Sequence, residues 1–322
     1  MSKLVLIDSN AILHRAYHAL PKTLTTKSGE PINAVYGFVS ILLRIIQDLK
    51  PTHIACTFDR KEPTFRHKKF KAYQAQRPKM DEELSSQFEK AKAVIEAFQI
   101  PIYEMAGYEA DDLIGTIANQ SVRVKEEYRS KSKKIPALPF SRSSTLIDEV
   151  IVVTGDRDIL QLVNSKVKVY LPIKGLSEAK LFGIEDVVEK MGVKPSQITD
   201  YKALVGDPSD NYPGVSGIGP KTAEKLLSRF GTLDNIYKHL DKLDKSTCDK
   251  LEKYKEDADI SYKLAKIVID VDVDVNLQEM SNWQVDNDKV LDLFSQFGFK
   301  TLTKRVKDVG KAIVSENQLN LL

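Results

Sequence analysis

Hydrophobic positions along the first half of the chain follow two different periods. Short apolar runs of strand length, LVLI at 4–7, HIACTF at 53–58 and VIVVTG at 150–155, are separated by longer stretches with apolar residues at helical spacing. In 34–49 these are Val35, Phe38, Val39, Leu42, Leu43 and Ile46; in 81–98 they are Leu84, Phe88, Ala91, Ile95 and Phe98. SNAILHRAYHAL after the first run predicts a short helix, PIYEMAG a further strand and DDLIGTIANQSVRVKEEY a further helix. Strands alternating with helices predict an α/β fold with a parallel sheet covered on both faces.

The pattern breaks between Val122 and Asp148, where KEEYRSKSKKIPALPFSRSS is rich in Ser, Pro, Lys and Arg. Its tail reads as a flexible insertion; because its basic residues outnumber its acids, an accessory loop contacting a polyanion such as DNA is the alternative. From about Ile173 the sequence becomes mainly short helices and turns. These shifts divide the chain into an α/β domain at 1–172, a mainly helical lobe at 173–305 and a tail at 306–322, of which SENQLNLL looks detached.

Composition narrows the class. The chain has 322 residues with 42% hydrophobic content, enough to bury a sizeable core in two domains. No apolar run reaches membrane-spanning length, and MSKLVLIDSN enters a strand without a signal-peptide pattern, so a cytoplasmic, non-membrane protein is expected. Cys56 and Cys248 lie far apart, which fits a reducing compartment.

Charge adds the chemistry. Nine carboxylates fall in five short clusters: Asp8; Asp59; Glu109, Asp111 and Asp112; Asp156 and Asp158; Asp207 and Asp210. At least three clusters sit where a strand ends, and parallel sheets place their sites at that edge. An acid after a strand also serves as a helix N-cap, and the first turn of EADDLIG favours anions, but this accounts for one or two acids rather than nine. Crowded carboxylates raise one another's pKa unless cations neutralise them. A donor set without Cys or His favours hard ions, Mg²⁺ or Mn²⁺, and two such ions suit phosphodiester hydrolysis. Removing the nine acids from the formal net charge of +3 leaves +12, as suits a polyanionic partner.

Two basic features agree. Residues 60–79 hold eight Lys or Arg against Glu62 alone, beginning one residue after Asp59, with Phe65, Phe70 and Tyr73 interleaved. In NYPGVSGIGPKTAEKLL, Gly214, Gly217 and Gly219 predict a tight hairpin before a helix, with Lys221 and Thr222 beside it. That is a helix-hairpin-helix pattern for phosphate binding. A dinucleotide site is disfavoured because the acid-rich turn GDPSDN, not a first strand, precedes the glycines.

In order, Asp8, Asp59 with TFR and YxxxR, EADD, TGDRD and GDPSDN-PGVSGIGPKTA resemble the 5′-nuclease domain of bacterial DNA polymerase I, within the flap endonuclease family. The resemblance runs to about Arg305 apart from 122–148. It implies a PIN-like core, a helical arch over about 60–100 and a helix-hairpin-helix lobe. It further implies two divalent ions, Mg²⁺ or Mn²⁺. Asp8, Asp59, Glu109, Asp111 and Asp112 would gather around one, and Asp156, Asp158, Asp207 and Asp210 around the other, with Asp156 shared. Arg66, Tyr73, Gln74 and Arg77 occupy arch positions at the scissile region, His14 a base-stacking position, and Lys69 and Lys71 are arch cations. The hairpin would grip duplex backbone and hold a K⁺ ion. The implied activity is 5′-3′ exonuclease and flap endonuclease action by a monomer, removing 5′ flaps and RNA primers during replication and repair in the bacterial nucleoid alongside a DNA polymerase.

The chain departs from the family pattern at three points. Gln74 stands where YKxxR would supply Lys, which raises the alternative of a DNA-junction binding module with weakened chemistry. His14 stands where an aromatic is usual. No polymerase domain follows, as in a standalone nuclease or one part of a longer polymerase. Gln318–Leu322, QLNLL, resembles short peptides that dock in the bacterial sliding clamp. A PIN-type ribonuclease would share the acids but not require the hairpin.

Overall fold

A computed structural model describes residues 1–130, 147–174 and 178–319. The strands are β1 (Lys3–Asp8), β2 (His53–Thr57), β3 (Ile102–Tyr103), β4 (Glu149–Val153), β5 (Val167–Lys174) and β6 (Glu178–Phe182). The first five helices are α1 (Ser9–Ala19), α2 (Asn33–Leu49), α3 (Phe65–Lys69), α4 (Glu82–Ala97) and α5 (Ala110–Ser130). The strands form one sheet in the order β3-β2-β1-β4-β5-β6, parallel throughout except for the antiparallel edge strand β6.

Side chains on β1 alternate between two cores, as a period of two requires. Leu4 and Leu6 face a cluster with Leu113, Ile114 and Ile117 of α5; Val5 and Ile7 face one with Phe38 and Leu42 of α2. The chain passes from β1 outward through β2 and β3, then returns to β4 on the other side of β1. The order therefore reverses at β1/β4, where open α/β sheets form their crevice.

The remaining helices are α6 (Ile184–Met191), α7 (Ile198–Val205), α8 (Pro220–Phe230), α9 (Leu233–Tyr237), α10 (Lys245–Lys253), α11 (Lys255–Ala265), α12 (Leu277–Met280), α13 (Asp288–Phe297) and α14 (Lys300–Leu319). Helices α7 to α11 form the lobe, its core running from Ala203 and Leu204 through Ala223, Leu227 and Leu251 to Ala258. Gly206 and Gly214, at φ +75° and +64°, turn the chain between α7 and α8. A Cβ on Gly214 would lie 2.2 Å from the Gly206 nitrogen, so only glycine fits.

Several expected boundaries move. The sheet continues through β6, beyond the division at 172. Val285, Val290, Phe294, Phe299, Leu302, Val306 and Val309 are buried in the core of α2 and α4, so the last helices return to the α/β domain. The segment expected as a tail from 306 is thus packed helix at its start. Of the segment 60–100, expected as an arch, the second part is packed helix. Leu84, Ala91, Val94 and Ile95 bury α4 in the core, and Gln87 fastens it by accepting from the backbone of Ala34 at 2.8 Å. Helix α5 continues to Ser130, into the expected insertion, whose residues 131–146 lie outside the described residues, as does 320–322 of the clamp-like peptide.

Candidate active site

Strand ends set the floor of the site. Asp8 closes β1 and is 4% exposed, its Oδ1 accepting from the Ala11 N–H at 3.0 Å and its Oδ2 from Thr154 Oγ1 at 2.6 Å. Asp59 follows β2; its N–H donates to Asn10 Oδ1 and its Oδ1 accepts from the Ala110 N–H at 2.7 Å. Asp156 follows β4, its N–H donating to Thr154 Oγ1 and its Oδ1 accepting from the Asp158 N–H. Glu109 and Asp111 enter from the start of α5. These acids line one cavity of about 1000 Å³.

Asp8, Asp59, Glu109, Asp111 and Asp156 form the first cluster. Burial, with the charges of neighbouring carboxylates, pushes Asp8 up to about 7 and raises Asp59. Burial likewise pushes Glu109 up to about 7, although Arg66 draws it down. Asp111 is raised well above its ordinary value by burial and by four surrounding carboxylates. A helix N-terminus stabilises an anion by at most about 2 kcal/mol.

Asp158, Asp207 and Asp210 form the second cluster, with oxygens within 4.8 Å of one another. Here the protein supplies its own cations. Lys202 contacts both Asp158 Oδ1 and Asp207 Oδ2. Arg77 Nη2 lies 2.6 Å from Asp210 Oδ1, which also accepts from Gln74 Nε2 at 3.2 Å. Burial opposes the Asp207 charge, but Lys202 and Ser209 overcome it and hold that carboxyl below its ordinary value. Burial still pushes Asp158 up to about 6 against the pull of Lys202.

Asp112 does not join the first cluster. It is fully buried and takes Arg66 in a bidentate pair at 2.7 and 2.8 Å, while accepting from the Glu109 and Val268 N–H groups. Consecutive helical residues do not share a face, so Asp111 looks into the cavity and Asp112 away from it. Arg66, expected at the scissile region, is 2% exposed and also donates to the carbonyls of Leu264 and Lys266. The pair ties α3, α5 and the lobe together.

Of the residues expected at arch positions, Tyr73, Gln74 and Arg77 do reach the cavity. Tyr73 is buried and donates to Glu109 Oε2 at 3.2 Å, with Asp210 Oδ2 at 3.5 Å, spanning the two clusters. Gln74 adopts φ +54° and donates its N–H to the Asp210 carbonyl, while Asn211 Nδ2 donates to the Ala72 carbonyl. His14 lines the cavity in a T-shaped contact with Phe88. Lys69 lies over the Phe65 ring, and neither it nor Lys71 is among the lining residues, whereas Arg60, Lys61 and Lys92 are. The sequence reading missed Lys61, although it stands two residues after Asp59. It also missed Lys202, Thr154 and Asn10.

In the lobe, Gly219 caps α8 with open space where a Cβ would stand, beside exposed Lys221 and half-buried Thr222. Gly217 is at φ +83°, and its carbonyl faces Lys250 Nζ at 3.4 Å. Gly214 lies inside the turn.

The second cluster fits a hard divalent ion on two grounds. Its donors are all carboxylates, and the Tyr212 hydroxyl, buried among the charges of Asp158, Asp207 and Asp210, has no hydrogen-bond partner. The first cluster fits through its raised carboxyls, which a cation would restore to their charged form.

Two groups of carboxylates at the switch-point crevice of a parallel sheet mark this as an α/β protein with acid clusters that could hold divalent ions. The family models "5′-3′ exonuclease, N-terminal resolvase-like domain" and "5′-3′ exonuclease, C-terminal SAM fold" match residues 3–192 and 193–288, and the chain belongs to this 5′-3′ exonuclease family. It is 39% identical to DNA polymerase I of Caldicellulosiruptor bescii over 306 residues, 94% of this chain, and 38% identical to that of Bacillus subtilis over 305. The chain spans about a third of the length of these relatives: 33% of the first and 32% of the second. The fold is similar to that of the bacteriophage T5 D15 flap endonuclease, solved with DNA and metal ions, at TM-score 0.63 and 20% identity, covering 95% of this chain and 97% of that one. The catalytic core of Rad2 in complex with DNA substrate matches at TM-score 0.53 and 16% identity, covering 96% and 91%.

Proposed function

We propose that the chain is a structure-specific 5′ nuclease that hydrolyses phosphodiesters of DNA at a 5′ flap or an RNA–DNA primer junction. The observation that carries this reading is the pair of carboxylate clusters at one cavity whose lining also carries Arg60, Lys61 and Arg77. Asp8, Asp59, Glu109, Asp111 and Asp156 would hold one divalent ion, and Asp158, Asp207 and Asp210 the other, with Mg²⁺ or Mn²⁺ as the ions of choice. Bound there, such ions supply an activated water and stabilise the leaving oxygen. Arg60 and Lys61 on the cavity wall hold the phosphate that the carboxylates alone would repel, and His14 offers a stacking face to a base. Thr154 and the Ala11 and Ala110 N–H groups orient Asp8 and Asp59.

Gly219, Lys221 and Thr222 would grip duplex backbone at the start of α8. A K⁺ ion at the Gly214–Gly219 turn belongs to the same proposal; Lys250 is the cation the chain itself brings there. The protein would act as a monomer in the bacterial cytoplasm, on nucleoid DNA and alongside a DNA polymerase. No helix among the described residues is long and apolar enough to cross a membrane. Gln318–Leu322 would tether it to the sliding clamp; truncation after Glu316 should then abolish clamp capture in a pull-down, and unchanged capture would refute the tether.

The deciding experiment is cleavage of an end-labelled 5′-flap duplex with Mg²⁺, Mn²⁺ or EDTA, beside an Asp156→Ala control. Cutting at the junction that needs metal and is lost in the control is the expected result. Binding without cutting in either metal favours the second reading, a junction-binding module, which Gln74 motivates. A Gln74→Lys variant that then gains cleavage would locate the deficit at that residue.

A further inference from the structure

The second cluster contains a feature that two-ion hydrolysis does not require. Helix α7 ends at Val205, and Gly206, at φ +75°, donates its N–H back to the Lys202 carbonyl. That reversal folds the acid turn over the helix and brings Asp207 onto the side chain of Lys202 five residues earlier. The ammonium is 13% exposed and lies between Asp158 Oδ1 and Asp207 Oδ2.

The other oxygen of Asp207 is already committed. Oδ1 accepts from the Ser209 N–H at 2.7 Å, Ser209 Oγ at 2.5 Å and the Asp210 N–H at 3.3 Å. An incoming ion thus has only Oδ2 of Asp207 to take, and that is the oxygen Lys202 contacts. A divalent ion and an ammonium on one carboxylate oxygen repel each other, so one must leave. The unpartnered Tyr212 hydroxyl beside these acids marks polar capacity that Lys202 does not use.

We propose that Lys202 is a built-in counter-cation of the second cluster: its ammonium holds Asp158 and Asp207 in the ion-free protein and is displaced when a divalent ion takes those oxygens. The inference rests on the nuclease reading and adds to it a residue that sets ion affinity. Lys202 is a positioning residue, since it acts through the carboxylates. Among the described residues the cation that touches the first cluster is Arg66, 3.3 Å from Glu109 and committed in its bidentate face to Asp112, so the ion there would meet less competition and the second would bind more weakly. Competition lowers apparent affinity by the fraction of protein in which the site is free.

The test is a Mn²⁺ titration of the full chain by calorimetry, for wild type, Lys202→Met, Lys202→Arg and Lys194→Met. Lys194 is exposed and makes the same change of charge away from the cluster. Lys202→Met should tighten the weaker binding step by about tenfold or more, because its site is always free. Lys202→Arg and Lys194→Met should leave that step within about threefold of wild type, as each keeps a cation at residue 202. An unchanged or weaker step in Lys202→Met overturns the proposal. On wild type alone, acylation of Lys202 by an amine reagent, read by mass spectrometry, should rise severalfold when Mn²⁺ is added; an unchanged or reduced signal overturns it without any variant. Mn²⁺ binding at the first cluster, lost in Asp111→Asn, with no effect at Lys202 would sink this inference and leave the nuclease reading standing. Absence of Mn²⁺ binding to wild type would sink both.

Discussion

The two carboxylate clusters share a cavity but solve the problem of buried charge in opposite ways. In the first, the acids on the cavity wall are steadied mainly by neutral donors: backbone N–H groups, Thr154, Thr64 and Tyr73. Arg66 touches Glu109 at 3.3 Å but gives its bidentate face to Asp112. Carboxyls there are pushed toward neutrality. In the second, Lys202 and Arg77 reach all three acids. The difference teaches that a crowd of acids is not by itself a metal site: the first cluster lacks charge that only a ligand can bring, whereas the second holds provisional charge from its own chain.

The largest effect should come from removing one acid of the uncompensated cluster. Asp111→Asn takes away the carboxylate with four like-charged neighbours. Flap cleavage is expected to fall by roughly 10²–10³-fold, the scale of losing one electrostatic stabiliser of a transition state. The same variant should melt higher than wild type in EDTA, because the repulsion it relieves has no compensation there. A lower melting point would mean that the first cluster is better neutralised than its geometry implies.

The next effect separates Asp112 from that cluster. Arg66→Met leaves a fully buried carboxylate without its partner and should cost about 3–5 kcal/mol of stability in urea unfolding. A loss under about 1 kcal/mol would return Asp112 to the ligand set expected from EADD. The position of Asp112 was legible in principle, since adjacent helical residues point about 100° apart. The strand-end acids were readable because an apolar run ending in Asp fixes both the edge of the sheet and the direction of the side chain. Lys202 was not, because its meeting with Asp207 depends on the reversal at Gly206. Nor was the return of α13 and α14 to the first domain: Phe294 and Val306 announce an apolar face without saying which surface it covers.

Titration should distinguish the clusters on a smaller scale. Asp8 and Glu109 keep their protons to about 7 when folded, against ordinary values of 3.8 and 4.5. Between those limits the folded state binds more protons than the unfolded one, so its stability falls as pH rises. Asp207, held below its ordinary value, contributes in the opposite sense, and only as pH falls into the acid range. In EDTA the melting temperature should therefore decline from about pH 5 to about pH 8, and saturating Mn²⁺ should abolish the decline by favouring the charged carboxyls. A melting temperature that rises across that range without metal would show that the first cluster is already compensated.

The smallest expected effect concerns the contact of the segment 73–77 with the second cluster. Gln74 holds a left-handed conformation that costs a non-glycine residue on the order of 1 kcal/mol, and its side chain returns a hydrogen bond to Asp210 of similar net worth. Gln74→Gly relieves the first and loses the second, while the Arg77 contact to Asp210 remains. Stability in urea should consequently change by less than about 1 kcal/mol. A loss of about 2 kcal/mol or more would make Gln74, rather than Arg77, the principal tie between this segment and Asp210. The second cluster would then be held closed by a neutral side chain, and its contrast with the first would rest on Lys202 alone.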